Sequence, residues 1–220
     1  MASSIPADAA HGSDNDLESR TSTSTFSADD ATHFSYRNGD LNWSGAGGSD
    51  GHKSGGTIKG EDVICVTENK GSDGAAGYTI FSLASIDTTD VKKLPLELQT
   101  TSASNLPKEC LDNYLFHGLP TYLRPAEAQI YILISTLSGT CLAPDFYDVV
   151  LRHILEAIGL TDSSYTLIRT NSAHSVREFA SKELLQGANE GKKQSVLMLS
   201  GDGGVVDTLN GLLESGEKSQ

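Results

Sequence analysis

Three apolar runs of six or seven residues, each followed at short range by a helical pattern, occupy the second half of this 220-residue chain. They are "QIYILIS" (Gln129–Ser135), "YTLIRT" (Tyr165–Thr170) and "SVLMLS" (Ser195–Ser200). A continuous apolar run too short for a helix suits a strand buried on both faces. Between the runs, "PDFYDVVLRHILEAIG" opens with proline and closes with glycine, the usual asymmetry of a helix. Its Phe146, Val149, Val150, Leu151, Ile154, Leu155 and Ile158 fall on one helical stripe. "SAHSVREFASKELLQG" and "GVVDTLNGLLES" supply two further helical patterns. The order β-α-β-α-β-α with short loops predicts an α/β fold, a partial doubly wound parallel sheet, over residues 126–220.

Upstream the pattern changes. In residues 57–125, "EDVICVTEN" and "GYTIFSLASI" are β-rich runs separated by the turn-rich "KGSDGAAG", which predicts a hairpin. A short helix is expected from about Pro107, with Leu106, Leu111, Leu115 and Phe116 on one face. Residues 1–56 are rich in Ser, Thr, Asp, Asn and Gly, with scattered aromatics and no period. They are expected to form a disordered tail, because little apolar surface offsets the ordering entropy.

Charge and cysteine usage narrow the function. Asp and Glu number 29 against 16 Lys and Arg, a net charge of −13. Nucleic-acid binding requires a concentrated basic face, so nucleic acid is not an expected partner. Cys65, Cys110 and Cys141 are widely spaced, which fits neither a disulfide framework nor a zinc site and points to a reducing compartment. No run reaches the length of a membrane span, and the N-terminus has no signal-peptide pattern. A cytoplasmic protein is expected.

In parallel sheets of this kind, ligands sit beyond the carboxyl ends of the strands. Three turns belong to that edge: "STLSGTCLAP" (Ser135–Pro144), "RTNSAHS" (Arg169–Ser175) and "LSGDGGVVD" (Leu199–Asp207). Gly201, Gly203 and Gly204 let backbone amides approach a phosphate, and a helix expected to begin near Val205 turns its positive end to the same place. Asp202 is the unusual member. A carboxylate beside phosphates repels them unless it holds a metal, orients a hydroxyl or accepts its proton.

"VLMLSGDGGVVDTLNGLL" resembles the glycine-rich signature of the diacylglycerol kinase and sphingosine kinase catalytic domain, S/G-G-D-G-x-x-x-x-x-x-N-G-L. Ser200, Gly201, Asp202, Gly203, Asn210, Gly211 and Leu212 fall in place. "STLSGTCLA" is similar to that family's first loop through Ser138 and Gly139, and the second turn matches through Thr170 and His174. The likeness spans residues 129–214, and "YLFHGLPTYLRP" looks like the approach seen in fungal members.

The resemblance implies ATP- and Mg²⁺-dependent transfer of phosphate to the hydroxyl of a diacylglycerol or a sphingoid base, with transient membrane contact. By the same resemblance Ser138, Gly139 and Thr140 lie along the nucleotide phosphates and Thr170 near the nucleotide. Ser200, Gly201, Gly203 and Gly204 lie under the phosphates, and Asp202 accepts the lipid hydroxyl's proton. Asn210 and Gly211 hold the helix in place. The chain departs from the family in the missing Asn-Pro of the first loop, in Cys141 at its third glycine, and in Gly204 where threonine is common. Family members continue into a C-terminal β-sandwich that holds the lipid, so this chain is expected to be an N-terminal portion with little activity alone. An NAD-kinase-like phosphotransferase, which shares the Gly-Asp-Gly turn, and a non-catalytic nucleotide-binding fragment are the alternatives.

Overall fold

The computed structural model describes residues 24–27, 33–44, 55–70, 76–137 and 139–214. They form a mixed α/β protein with three small sheets, one of them wholly parallel.

The parallel sheet contains the three apolar runs. Strand β8 (Gln129–Ser135) is central, with β9 (Thr166–Thr170) on one side and β10 (Gln194–Leu199) on the other. Residues 130–134 of β8 are all buried, as a strand covered on both faces must be. Its even-numbered side chains, Ile130, Ile132 and Ile134, pack with Tyr147 and Leu155 of the helix that follows. Its odd-numbered Tyr131 and Leu133 pack on the opposite face with Val176, Phe179, Ala180 and Leu184.

Four helices matter to the fold. Helix α1 is Lys108–Tyr114. The next, α2, is continuous over residues 143–157, as Ala143–Phe146, a π turn at Tyr147–Leu151, and Arg152–Ala157. Helix α3 likewise runs over residues 173–189, with a π turn at Ala180–Leu184 between Ala173–Phe179 and Leu185–Asn189. It is opened by a Ser172–Ser175 capping box, which satisfies two backbone donors reciprocally. Helix α4 is Asp202–Glu214. It crosses α3, where Arg177 Nη2 reaches Asp207 Oδ1 at 2.9 Å. At the same crossing, a Cβ on Gly211 would lie 2.5 Å from the Arg177 carbonyl oxygen and 2.8 Å from Ala180 Cβ. Gly211 is therefore a close-approach glycine between two helices.

The apolar residues of α2 divide between two faces. Tyr147, Leu151, Leu155 and Ile158 meet the parallel sheet, whereas Phe146, Val149, Val150 and Ile154 meet Phe81 and Leu98 of another sheet. That sheet is four-stranded, ordered β1 (Ser24–Ser27), β7 (Leu96–Ala103), β6 (Ala76–Ser85), β5 (Val63–Lys70). The predicted hairpin is its β5–β6 pair, antiparallel from Val63↔Ser82 to Lys70↔Ala76. The far face of this sheet, through Val66, Ile80 and Ala103, packs on Leu106 and Cys110 of the α1 segment. It also packs on Phe34, Leu41 and Ile58 of a third sheet. The single stripe expected on α2 is thus corrected to two, because the helix is sandwiched between two sheets.

The third sheet corrects the expectation of a structureless tail. Strands β2 (His33–Arg37), β3 (Asp40–Ser44) and β4 (Gly55–Ile58) form an antiparallel meander. The β2–β3 turn is Asn38-Gly39, with φ of 53° and 92°. Two positive φ values match the twist of a tight hairpin, and Asn-Gly adopts them at little cost. Phe34 and Trp43 face each other across it, ring centroids 6.4 Å apart. The other residues of the 1–56 stretch lie outside the described residues, apart from β1.

One polar network fixes the connection into β9. The Tyr147 and Tyr165 hydroxyls are 2.8 Å apart, and Tyr165 Oη donates to Asp162 Oδ1 at 2.8 Å. Arg152 Nη2 donates to the other Asp162 oxygen at 2.8 Å. Burial, together with the bonds to Tyr147 and Asp162, pushes the Tyr165 phenol well above its usual value. A raised pKa means that the fold favours the protonated form. The associated stability is present below about pH 10, the ordinary tyrosine value, and is lost as pH rises further. Tyr165→Phe is expected to cost about 1 kcal/mol in urea unfolding at neutral pH and to flatten the loss of stability at alkaline pH.

Candidate functional site

Chain order is β8, β9, β10, but spatial order is β10-β8-β9. The connections therefore reverse direction at β8, with α2 on one face and α3 on the other. At such a reversal the two flanking loops part and leave a crevice outside the strands' carboxyl ends. A cleft of about 450 Å³ lies there, between the ends of β8 and β10. Gly139 and Thr140 of the first turn line it, with Ser200 and Gly201 of the third. Two of the three turns are thus brought together.

Local geometry suits these residues to anion approach. Gly139 has φ of 54°, the left-handed region that glycine adopts without a Cβ penalty. Nothing lies within 4 Å of where a Cβ would project from Gly139, Gly201 or Gly203, so their backbones are open to a ligand. The third helix begins at Asp202. This corrects the expected start near Val205 and makes Asp202 its first residue. The amides of the first turn have no partner within the helix, and Asp202 complements that positive end. Asp202 is exposed and stands at the rim beside Gly201, outside the lining.

Other site candidates occupy different environments. Ser138 lies outside the described residues. Gly204 is packed, since a Cβ there would collide with the Ser200 side chain and lie 3.2 Å from Met198 Sδ. Its amide donates to the Gly201 carbonyl at 3.0 Å, so it shapes the turn. Thr170 is buried and does not line the cleft. Its hydroxyl donates to the Ile134 carbonyl at 3.4 Å, and its own carbonyl accepts from the Thr136 amide at 2.8 Å. It clasps the end of β9 to β8. His174 is exposed in the first turn of α3, away from the cleft. The second turn follows β9, on the far side of β8, and so does not reach the crevice.

Sequence reasoning missed the apolar part of the cleft. Phe146 of α2 and Met198 of β10 contribute, and Leu94 enters from the loop before β7. That loop is closed at its base by the Ile86 amide donating to the Pro95 carbonyl at 2.9 Å. The lining therefore includes the N-terminal β-rich region. Leu94 and Gly139, 45 positions apart in the chain, line the same cleft, and such a convergence leaves no periodic trace.

Cys141 has φ of 61°, one of two non-glycine residues with positive φ among those described, and its side chain is exposed. The left-handed conformation costs a residue with a Cβ about 1–2 kcal/mol. Cys141→Gly is expected to stabilise the protein by roughly 0.5–1 kcal/mol, after allowing for the greater freedom of glycine in the unfolded chain. Chemical denaturation of the two proteins side by side tests this.

Among the described residues, no cluster of three or more His, Cys, Asp or Glu is arranged to hold a metal ion, and no helix is long and apolar enough to cross a membrane. No protein-family model, curated protein or solved structure matches the chain.

Proposed function

We propose that the chain belongs to an ATP-dependent lipid kinase of the diacylglycerol or sphingoid-base type and binds the ATP phosphates in the cleft between β8 and β10. The observation that carries this reading is the meeting of Gly139-Thr140 with Ser200-Gly201 at the carboxyl edge of a parallel sheet, beside the N-terminus of α4. The one parallel sheet, ordered β10-β8-β9, supports this reading. A cleft of about 450 Å³ lies within the size range of small-molecule sites.

The residues present fit a phosphate chain. Open glycine backbones at Gly139 and Gly201 allow close approach, Thr140 brings a hydroxyl to the lining, and the N-terminus of α4 favours an anion. Asp202, at the rim, would accept the proton of an acceptor hydroxyl as the phosphoryl group leaves ATP. Mg²⁺ usually takes one or two carboxylates together with substrate phosphates and waters. When bound with ATP, the ion would supply charge neutralisation between the phosphates. A lipid acceptor implies a cytoplasmic protein in transient, peripheral contact with membrane.

A second reading, nucleotide binding without transfer, is favoured by one observation: neither Asp202 nor Thr170 lines the cleft. Incubation of the longest natural product that carries these residues with radiolabelled ATP, Mg²⁺ and vesicles carrying diacylglycerol or sphingosine separates the readings. Label in the lipid supports the kinase, and label in added NAD favours an NAD-kinase-like activity. ATP binding without transfer leaves the second reading, and absence of ATP binding rejects all three.

A further inference from the structure

We infer that Leu94, carried by the loop before β7, is a specificity-determining residue of the cleft: with Phe146 it forms an apolar wall that takes the base of a nucleoside triphosphate. The inference rests on the reading of the cleft as a nucleotide site, and it adds the N-terminal β-rich region to that site.

The lining divides by chemistry. Gly139 and Gly201 bring open backbone and Thr140 a hydroxyl, which suit phosphates. Leu94, Ala143 and Phe146 bring only hydrocarbon. A bare phosphate chain gains nothing from that second group, because burying charge against hydrocarbon costs free energy. Small-molecule sites combine apolar walls with a few placed polar groups, so the matching ligand has both characters. A nucleoside triphosphate has them in one molecule, a planar base with apolar faces and a chain of anionic groups. The wall is also compact. Two side chains and the start of α2 suit a planar base better than an extended acyl or alkyl chain.

Leu94 is held where it stands. Leu94 and Phe146 pack against one cluster, Phe81, Leu98 and Val150, supplied by β6, β7 and α2. Both stay half-buried, so each gives one side to the core and another to the cleft. The loop has its own bonds. The Lys92 amide donates to Asp90 Oδ1 at 3.0 Å, and the Lys93 amide to the Asp90 carbonyl at 3.0 Å. Pro95 confines the residue before it, Leu94, to extended backbone. A wall fixed in this way needs little ordering when ligand arrives, which favours affinity.

Calorimetric titration of the longest natural product that carries these residues, with ATP and with inorganic tripolyphosphate in Mg²⁺, tests the assignment. The wild type is expected to bind ATP roughly tenfold or more tightly than tripolyphosphate. Leu94→Ala is expected to weaken ATP about tenfold and to leave tripolyphosphate unchanged. A wild type that does not prefer ATP, or a variant that weakens neither ligand or both alike, overturns the inference while the phosphate site stands. Loss of dioctanoylglycerol binding in the variant with ATP affinity intact gives the wall to the acceptor and overturns it too. A protein that binds neither ATP nor tripolyphosphate rejects the reading of the cleft itself, and the inference falls with it. Because Leu94 also touches the core, hydrogen exchange on the wild type supplies a check that needs no variant. ATP is expected to slow exchange at residues 92–94 and tripolyphosphate not to. Equal protection by both, or by neither, overturns the inference.

Discussion

On the kinase reading proposed above, Asp202→Asn is expected to lower phosphate transfer to lipid by roughly 10²–10⁴-fold, the range over which a positioned general base acts. Asparagine keeps the shape of the side chain and removes only its charge and basicity. Because Asp202 is exposed at the first position of α4, the fold has little at stake. A carboxylate at a helix N-terminus contributes about 0.3–1 kcal/mol, so the melting temperature should fall by no more than a few degrees. ATP binding should be unchanged or slightly tighter, since a negative charge beside the phosphates has gone. The pattern to look for is a collapse of turnover with binding intact. A variant that still transfers phosphate at the wild-type rate removes Asp202 from the chemistry and leaves the cleft as a binding site alone.

The largest effect on stability is expected at Gly211. Two terms oppose each other when this glycine gains a side chain. In an exposed helix interior, alanine is favoured over glycine by roughly 0.5–1 kcal/mol. At Gly211, however, the new Cβ meets the Arg177 carbonyl oxygen at 2.5 Å and the Arg177 Cα at 2.9 Å. Backbone atoms cannot rotate aside as a flexible side chain does, so the clash exceeds the propensity gain and α4 must lift from α3. Gly211→Val adds branching to the same clash and is expected to cost about 2–3 kcal/mol. At about 2–4 °C per kcal/mol for a chain of this size, the melting temperature should drop by roughly 5–10 °C. Calorimetry of glycine, alanine and valine variants orders them: both substitutions should destabilise, valine more. A stabilising alanine would mean that α4 and α3 do not approach this closely.

The second half of the chain was largely legible because burial on both faces leaves a simple mark. The predicted strand Gln129–Ser135 is β8 without adjustment, and the runs at Tyr165 and Ser195 are β9 and β10 with ends moved by one residue. The β5–β6 hairpin and the helix after Pro107 were equally readable. In residues 33–44 a polar composition masks a local pattern. "FSYRNGDLNW" alternates Phe34, Tyr36, Leu41 and Trp43 about an Asn-Gly turn, a hairpin signature within a polar stretch.

The helix pattern at residues 143–157 carried a further message that went unread. Apolar residues at 146, 150 and 154 as well as 147, 151 and 155 are more than one buried face requires. The surplus marks the second sheet lying against α2. In the cleft, adjacency of the first and third turns follows from strand order, and strand order is not written in any one segment. The turn at Arg169–Ser175 has the same polar, small-residue character as its neighbours, yet β9 carries it to the other side of β8.

The position of α2 between two sheets also sets a timetable for synthesis. A ribosome delivers β5, β6 and β7 well before residues 143–157, so Phe81 and Leu98 leave the exit tunnel with their cover still unmade. Until Val150 arrives, the nascent sheet carries an apolar face open to solvent and to chaperones. The N-terminal half completes its packing only when the helix that it shares with the cleft-bearing half has been translated.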